Sequence, residues 1–309
     1  MSDIAKAVEE YLSTRRALGF QLNFAALMLR DFARFVAAQH SAHITAELAV
    51  TWACKPVHAQ PCQWSKRLGA IRCFARYHSA SDPLTEIPAK ALLPFPYIRK
   101  DPYIYSQSDI AALTKAAGEL PCRRGIVPQT YSTLIALLAV TGLRVGEAIG
   151  LDRYDFDRRD GTLLVRQTKF RKSRLVPIHP STAAALDAYC TRTKTIFPRA
   201  TSLFVSARGK RLEASTLRAT FRVLLGRLGL PPPGDCRRAR LHGLRHAFAV
   251  GTLLRWCRDG VDVERQLPLL ATYLGHTHIT NTYWYLSATP ALLALAAERL
   301  DSPIWRMRS

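Results

Sequence analysis

Residues 141–151 have the sequence TGLRVGEAIGL and directly follow the apolar run Leu134–Val140. The apolar run predicts a buried helix, and a glycine such as Gly142 is typical of a helix end. Arg144 is therefore expected beside a buried helix boundary, where a guanidinium needs an anion. Glu147, three residues further on, could supply that anion as an ion pair. The alternative is a phosphate bound by both arms of the guanidinium, with Glu147 orienting the arginine.

The charge of the chain indicates a polyanionic partner. Its 309 residues include 44 lysines and arginines against 23 aspartates and glutamates, which gives a formal charge of +21. This length predicts about two domains. Hydrophobic residues make up 48% of the chain, so a disordered basic tail is excluded. The simplest partner for the excess charge is a nucleic acid, and the alternative is a solvated basic surface without a partner.

Composition also predicts the compartment. No apolar run approaches the roughly 18 residues that cross a bilayer. The first ten residues carry two glutamates and an aspartate, unlike a secretory signal. The seven cysteines are scattered without paired spacing, which favours reduced thiols. We therefore expect a cytoplasmic protein with no membrane partner, associated with the bacterial nucleoid when it is bound to nucleic acid.

Residues 1–79 are expected to form a helical domain. Gly19 ends the predicted first helix, and Thr45 is a candidate cap for a short third one. The predicted second helix has an apolar face made of Phe24, Leu27, Met28, Phe32 and Phe35. A fourth helix, from about Gln63 to His78, carries four basic residues: Lys66, Arg67, Arg72 and Arg76. This helix either contacts DNA or is a surface helix whose basic side chains are simply solvated.

Residues 80–105 are predicted to link two domains. Prolines recur through this segment and favour an extended, semi-rigid connection. Arg99 and Lys100 lie in it and are candidates for phosphate contacts. The second domain, 106–309, is expected to begin at an N-cap formed by Ser106 or Ser108.

The second domain is predicted to be mainly α-helical with a small antiparallel sheet. Two short strands, Thr162–Thr168 and Arg174–Pro177, are joined by a tight basic turn. That turn carries Lys169, Arg171 and Lys172, and a lysine at a hairpin tip is either simply exposed or a mobile proton donor. Helical patterns cover the remainder: 108–118, 130–150, 181–193, 214–228, 242–258, 263–274 and a tail helix at 290–300.

Two further segments carry candidate chemistry. Residues 241–246 read LHGLRH and place His242 and Arg245 on one helical face. The spacing of His242 and His246 resembles a zinc helix, but glycine stands where the metalloprotease pattern needs a glutamate, so no metal is expected. Residues 274–285 read LGHTHITNTYWY and contain His276 and the tyrosines Tyr283 and Tyr285.

Together, these motifs resemble the tyrosine recombinase (phage integrase) family in their order and spacing. The resemblance covers nearly the whole chain and is strongest from Ser106 to Tyr285. It implies a helical core-binding domain and a mixed α/β catalytic domain that close as a clamp around DNA. By resemblance the catalytic residues are Arg144, Lys169, His242, Arg245, His276 and the nucleophile Tyr285. Tyr283 stands two residues short of the expected spacing and is assigned to packing.

The resemblance implies cleavage and rejoining of DNA through a covalent 3′-phosphotyrosine, without a metal or nucleotide cofactor. Arg144 and Arg245 would stabilise the charge on the phosphate oxygens, and Lys169 would protonate the leaving 5′ oxygen. His242 and His276 would add hydrogen bonds or proton transfer. Beyond these, the candidate DNA contacts are basic residues: Lys66, Arg67, Arg72, Arg76, Arg99, Lys100, Arg171, Lys172 and Arg174.

The implied partners are double-stranded DNA with specific core sites and three further copies of the chain, as a tetramer on two sites. Helper recombinases or accessory proteins could be required. The tail helix at 290–300 would pack in a neighbouring protomer or on its own domain. Three alternatives stay open: a type IB topoisomerase-like enzyme, a non-catalytic DNA-binding regulator, and a metal-dependent nuclease, which the lack of a carboxylate cluster disfavours.

Overall fold

The computed structural model describes residues 3–94, 102–122, 126–166, 173–231, 238–287, 292 and 294. The chain divides into two compact units, Met1–Arg99 and Lys100–Ser309. The boundary falls within the proline-rich segment 80–105. The candidate DNA contacts Arg99 and Lys100 lie outside the described residues.

The first unit contains four described helices: α1 (Asp3–Ala17), α2 (Asn23–Ala38), α3 (Ala46–Cys54) and α4 (Pro61–His78). Its core forms around the fully buried Trp52, whose ring meets Phe32 edge-on at 5.5 Å between centroids. The predicted helix ends are confirmed at both sites. Gly19 has φ +91° just after α1, and the Thr45 hydroxyl accepts the Leu48 N–H at 3.2 Å.

The predicted apolar face of α2 is wrong in part. Phe24 and Leu27 are 65% and 66% exposed. The helix is instead rotated so that Leu29 and Val36 enter the core, together with Phe32 as predicted. The buried face also contains two alanines, Ala26 and Ala33. Small side chains let neighbouring helices approach closely, which explains why this face of α2 enters the core. A count of large apolar residues misses that contribution.

The second unit is mainly helical around a small sheet, as predicted. Strands β1 (Phe156–Asp157), β2 (Thr162–Val165) and β3 (Arg174–Pro177) pair antiparallel in the order β1-β2-β3. Leu163 lies opposite Val176 in the ladder. The helices are α5 (Gln107–Gly118), α6 (Ile126–Thr141), α7 (Val145–Gly150), α8 (Pro180–Ile196), α9 (Ala214–Arg227), α10 (Leu241–Arg258), α11 (Val263–Leu274) and α12 (Thr280–Ser287).

Two departures from the predicted elements affect the site. The helix predicted over 130–150 is two helices, because Gly142 adopts φ +61° between α6 and α7. A Cβ on Gly142 would lie 2.6 Å from the Phe248 ring, so the turn also excludes a side chain by contact. Helix α12 was not predicted, since its eight residues show no apolar periodicity. The short strand β1 was not predicted either.

A separate apolar cluster lies where α10, α11 and α12 meet. It includes Leu253, Leu270, Leu274 and the candidate nucleophile Tyr285. Of the predicted tail helix, only positions 292 and 294 are described; both are helical, and Leu292 is buried in this cluster. Within the described ranges, no helix has the length and apolar character needed to cross a membrane.

The N-cap of α5 provides a stability test. The Ser106 hydroxyl accepts the Asp109 N–H at 3.1 Å, and the Asp109 carboxylate accepts the Ser106 N–H at 2.9 Å. We expect Ser106→Ala to lower the free energy of unfolding by about 1 kcal/mol, because one donor of the first turn loses its partner. Ser108→Ala is the comparison variant: its hydroxyl lies 2.8 Å from that of Ser106, but the cap bond to Asp109 comes from Ser106, so we expect a change below about 0.5 kcal/mol. Urea unfolding followed by circular dichroism measures both, and equal losses would contradict the assignment of the cap to Ser106.

Candidate active site

The buried Arg245 joins three segments that are far apart in the sequence. Arg245 lies near the start of α10 and is only 2% exposed. Its Nη1 donates to the carbonyl of Gly142, after α6, and its Nη2 donates to the carbonyl of Leu274, at the end of α11, both at 2.8 Å. These bonds bring the turn that carries Arg144, the helix that carries His242 and the segment that carries His276 to one place.

The charge of Arg245 is poorly compensated. Burial, followed by the nearby positive charge of Arg144, lowers the pKa of Arg245 to about 10. The guanidinium still carries its charge at neutral pH. Its described hydrogen-bond partners are carbonyl dipoles, so the site retains a positive potential that favours an anion.

Arg144 reaches the same place from the N-terminus of α7. Its Nη1 donates to Glu147 Oε1 at 2.7 Å, and its Nη2 donates to the carbonyl of Gly275 at 2.8 Å. The side chain remains 36% exposed. The ion pair with Glu147 is therefore formed, and the exposed part of the guanidinium is open to an anion as well. The two alternatives drawn from the sequence are compatible.

Glu147 is shared between two arginines. Arg174 donates from Nη2 to Oε2 at 2.9 Å and from Nη1 to Oε1 at 3.2 Å, in addition to the bonds from Arg144. Burial alone would raise the pKa of Glu147, but the hydrogen bonds and charge of the arginines outweigh it, and the pKa is lowered. Glu147 is therefore an anchored carboxylate that orients Arg144.

Arg174 was predicted to contact DNA, and its described bonds point inward. Besides Glu147, it donates from Nε to the carbonyl of Tyr273 at 2.9 Å. It therefore fixes β3 against α7 and α11. Gly275 makes room for it, since a Cβ there would lie 2.7 Å from Arg174 Nη1, and Gly275 also has φ +69°. The glycine of the Leu-Gly-His motif thus serves the packing of an arginine.

His276 is a neutral group in this site. Its Nδ1 lies 2.7 Å from the hydroxyl of the buried Thr282. Burial, followed by the charges of Arg245 and Arg144, lowers the pKa of His276 to about 4. At neutral pH the imidazole can therefore offer a single N–H and carries no charge.

Tyr285 is buried in the site, and Tyr283 is not. Tyr285 is 2% exposed on α12, and its ring stacks near that of His276 at 6.4 Å between centroids. Its hydroxyl lies 3.0 Å from Nδ1 of His246. Tyr283, on the same helix, is exposed. Sequence reasoning noticed His246 only as a metal candidate and missed its contact with Tyr285; its position after Arg245 was the available signal.

The remaining predicted residues divide into three groups. His242 is exposed on α10, with its ring edge-on to His246 at 4.6 Å between centroids. On α4, Lys66 and Arg76 are exposed. The other two basic residues of α4 bond to the protein itself: Arg67 stacks on Trp52 at 3.6 Å and donates to its carbonyl, and Arg72 donates to the carbonyls of Pro88 and Ala89. Lys169, Arg171 and Lys172 lie outside the described residues.

The described part of the chain contains no group of three or more histidine, cysteine or acidic side chains that could hold a metal ion. The pair His242 and His246 therefore has no third ligand of these types among the described residues. The edge-on contact between the rings of His242 and His246 instead lies beside Tyr285, because His246 also contacts Tyr285.

Comparison with known protein sequences matches this second unit to one family. The phage integrase family corresponds to residues 106–291. Over 307 residues the chain is 47% identical to y4rB of Sinorhizobium fredii strain NGR234, named as an integrase/recombinase, covering 97% of this chain and 98% of that protein. It is 30% identical over 230 residues to the tyrosine recombinase XerD of Mycobacterium tuberculosis, covering 73% and 69% of the two chains.

Solved structures share the fold at lower sequence identity. The XerH site-specific recombinase bound to palindromic difH substrate superposes with a TM-score of 0.64 at 19% identity, over 96% of this chain and 85% of that one. The Tn1549 transposon integrase in complex with transposon right-end DNA superposes with a TM-score of 0.65 at 16% identity, over 98% of this chain and 100% of that one.

The charge of Glu147 provides a pH test. Because its pKa is lowered in the folded protein, it stabilises the fold fully above its ordinary value of 4.5, and this stabilisation is lost as pH falls through the lowered pKa. We expect Glu147→Gln to cost about 3 kcal/mol of unfolding free energy at neutral pH, since two arginines lose their anion. The difference from wild type should shrink as pH falls below 4.5.

Urea unfolding at a series of pH values checks this expectation. Glu119→Gln removes an exposed carboxylate at the end of α5 and is the matched control, with an expected change below about 0.5 kcal/mol. A Glu147→Gln difference that stays constant through the acid range would show that the charge of Glu147 is not its source.

Proposed function

This chain belongs to the phage integrase family, and we propose that it cleaves and rejoins DNA with Tyr285 as its nucleophile. The protein is a tyrosine recombinase, an enzyme of site-specific DNA recombination. The observation that carries the residue assignment is the pair of bonds from Arg245 to Gly142 and Leu274, which gathers the motif segments around the Tyr285 phenol.

The arginines are assigned to the phosphate. Attack by the Tyr285 oxygen concentrates negative charge on the two non-bridging oxygens of a phosphodiester. Arg144 and Arg245 both supply fixed donors whose positions are set before the reaction, by carbonyls and by Glu147. Such donors stabilise the transition state more than the ground state and need no reorganisation.

The two histidines and the lysine complete the proposed mechanism. His276 is neutral at pH 7, so it is assigned the role of a hydrogen-bond donor to a phosphate oxygen and not that of an acid. The exposed His242 is assigned to another phosphate oxygen. Lys169 is assigned the proton that the leaving 5′ oxygen needs, on the strength of its place in the family's motif. The two arginines and Lys169 are cationic and are assigned the work that metal ions do in other phosphoryl transfers.

The covalent 3′-phosphotyrosine retains the energy of the broken bond, so a 5′ hydroxyl of another strand can attack it and reseal the DNA. We propose that four protomers on two core sites exchange strands in pairs, through a Holliday junction. Accessory proteins could join this assembly. The first unit is assigned to core-site binding as half of a clamp, and the segment 80–105 to the connection. The proposed location is the cytoplasm, on the nucleoid when DNA is bound.

A trapped cleavage reaction tests the nucleophile. The protein is incubated with nicked core-site DNA in the presence of EDTA, and a denaturing gel detects covalent protein–DNA. We expect a 3′ adduct for wild type and for the matched control Tyr283→Phe, and none for Tyr285→Phe, because Tyr285 lies beside His246 and Arg245 whereas Tyr283 is exposed. Arg245→Lys should slow adduct formation by about 10²–10³-fold, since the two carbonyl bonds need the guanidinium fork.

Three results would contradict this proposal. An adduct in Tyr285→Phe would remove the nucleophile assignment, and a strict metal requirement would overturn the mechanism. Relaxation of one supercoiled site without exchange between two sites would replace strand exchange by a topoisomerase-like activity.

The contribution of α4 to DNA binding is tested by salt. Because Arg76 is exposed, we expect Arg76→Ala to reduce the slope of log Kd against log salt by about 0.9, the value for one lost phosphate contact. Arg72→Ala is the matched comparison, and its lost carbonyl bonds should lower the thermal stability and leave the slope unchanged. Equal slopes for wild type and Arg76→Ala would remove Arg76 from the DNA interface.

A further inference from the structure

The hydrogen bond between His246 and Tyr285 joins the proposed nucleophile to a histidine that the mechanism above does not use. The distance from His246 Nδ1 to the Tyr285 hydroxyl oxygen is 3.0 Å. The histidine lies on α10, a helix of 18 residues, and directly follows Arg245. A proton acceptor is therefore placed on a rigid element, at the one oxygen that must lose a proton.

Ring contacts hold the imidazole in this orientation. Its edge-on or tilted partners are His242 at 4.6 Å, Tyr285 at 5.5 Å and Trp284 at 5.6 Å between centroids. Edge-on aromatic pairs stabilise one another beyond the effect of their buried area. Trp284 therefore packs against His246 and helps to fix its orientation.

Attack on phosphorus requires a deprotonated phenol. Since the ordinary pKa of tyrosine is about 10, only about 0.1% of the phenol is ionised at neutral pH. Other groups in the site are poorly suited to accept this proton. The Nδ1 of His276 bonds to Thr282, and the low pKa of His276 makes it a weak base. Glu147 is held by two arginines.

We propose that His246 is a catalytic residue that accepts the proton of Tyr285 during attack. This inference rests on the proposed function, with Tyr285 as nucleophile. The O–H bond of Tyr285 breaks, its proton passes to Nδ1 of His246, and the phenol oxygen forms the bond to phosphorus. The bond from phosphorus to the 5′ oxygen breaks, and that oxygen takes its proton from Lys169. In the rejoining step, the 5′ oxygen bonds to phosphorus and gives its proton to the neutral amine of Lys169. The bond from phosphorus to the Tyr285 oxygen breaks, and His246 returns its proton to the phenol.

The charged groups around the pair support this direction of transfer. His242 and Arg245 face it from α10, and His276 faces it from the segment before α12. Burial lowers the pKa of Arg245 on balance, and the charge of a Tyr285 phenolate opposes that shift, so the positive charge of Arg245 in turn favours the phenolate. An imidazolium at His246 already carries a proton on Nδ1 and could not accept another.

The test replaces His246 by alanine and by asparagine and measures the single-turnover rate of adduct formation on nicked DNA. We expect both variants to be slowed at least about 100-fold near pH 7, the usual contribution of a general base. The deficit should shrink towards pH 9, because hydroxide then ionises the phenol directly. The asparagine oxygen replaces Nδ1 as an acceptor without being a base. A wild-type rate in His246→Asn would therefore overturn the proposal and leave a positioning role.

A change of leaving group separates His246 from Lys169. When sulfur replaces the bridging 5′ oxygen, the leaving thiolate needs no proton, because a thiol has a pKa near 8.5. We expect this substrate to restore the rate of Lys169→Ala and not that of His246→Ala. Restoration of His246→Ala would assign the histidine to the leaving group and overturn the proposal.

Controls keep the result independent of folding and of the proposed function. His278→Ala replaces an exposed histidine of the same region and should react as wild type does. Thermal melting and gel shifts verify that each variant folds and binds DNA. A faster reaction of His246→Ala would mean that the hydrogen bond restrains the phenol, and an unchanged rate would mean that it is idle; either overturns the inference. An adduct in Tyr285→Phe would instead overturn the proposed function.

Discussion

The arrangement of the site depends on a buried cation held by the ends of helices. Arg245 donates to Gly142, just past α6, and to Leu274, the last residue of α11, while Arg144 donates to Gly275. Carbonyls at helix C-termini lack intrahelical partners and carry partial negative charge, so they stabilise a cation. They satisfy the hydrogen-bonding needs of the guanidinium without neutralising its full charge. These bonds reduce the desolvation cost of burying an arginine, and the site keeps a positive potential that would attract a phosphate.

Glu147 supplies the limited negative charge that the rest of the site requires. Three arginines surround it in the described residues: Arg144 and Arg174 bind it directly, and Arg245 lies within range of its charge. One carboxylate cannot balance three guanidinium groups. Burial lowers the pKa of both Arg245 and His276, and the remaining positive potential lowers them further. A phosphodiester bound as we propose would restore the balance, so substrate binding would itself relieve the charge repulsion.

Sequence reasoning identified the segments of the site better than the contacts within it. Motif order brought together five positions that the structure also brings together: Arg144, His242, Arg245, His276 and Tyr285. That set came from the resemblance to the motifs of a family, while local signals such as Gly142 marked only the turns. The partnership of Arg174 with Glu147 was missed because it spans β3 and α7 and depends on tertiary packing. The pairing of His246 with the phenol was missed because α12 has no apolar periodicity. The face of α2 was misjudged at Leu27, where packing of small residues outweighed the count of large ones.

Burial of Tyr285, the proposed nucleophile, constrains how the proposed reaction can begin. Tyr285 is 2% exposed, so a duplex phosphate cannot reach its oxygen in this arrangement. Extraction of α12 as a whole would break the hydrogen bond to His246 and so remove the acceptor that the phenol needs. Arg245 and His246 are consecutive on α10, so the guanidinium proposed to bind the phosphate and the proposed proton acceptor belong to the same turn. A smaller opening that admits the phosphate to α10, and keeps the phenol on His246, preserves both functions. The phosphate therefore gains access more readily if the groups around Tyr285 move and the hydrogen bond from Tyr285 to α10 stays intact.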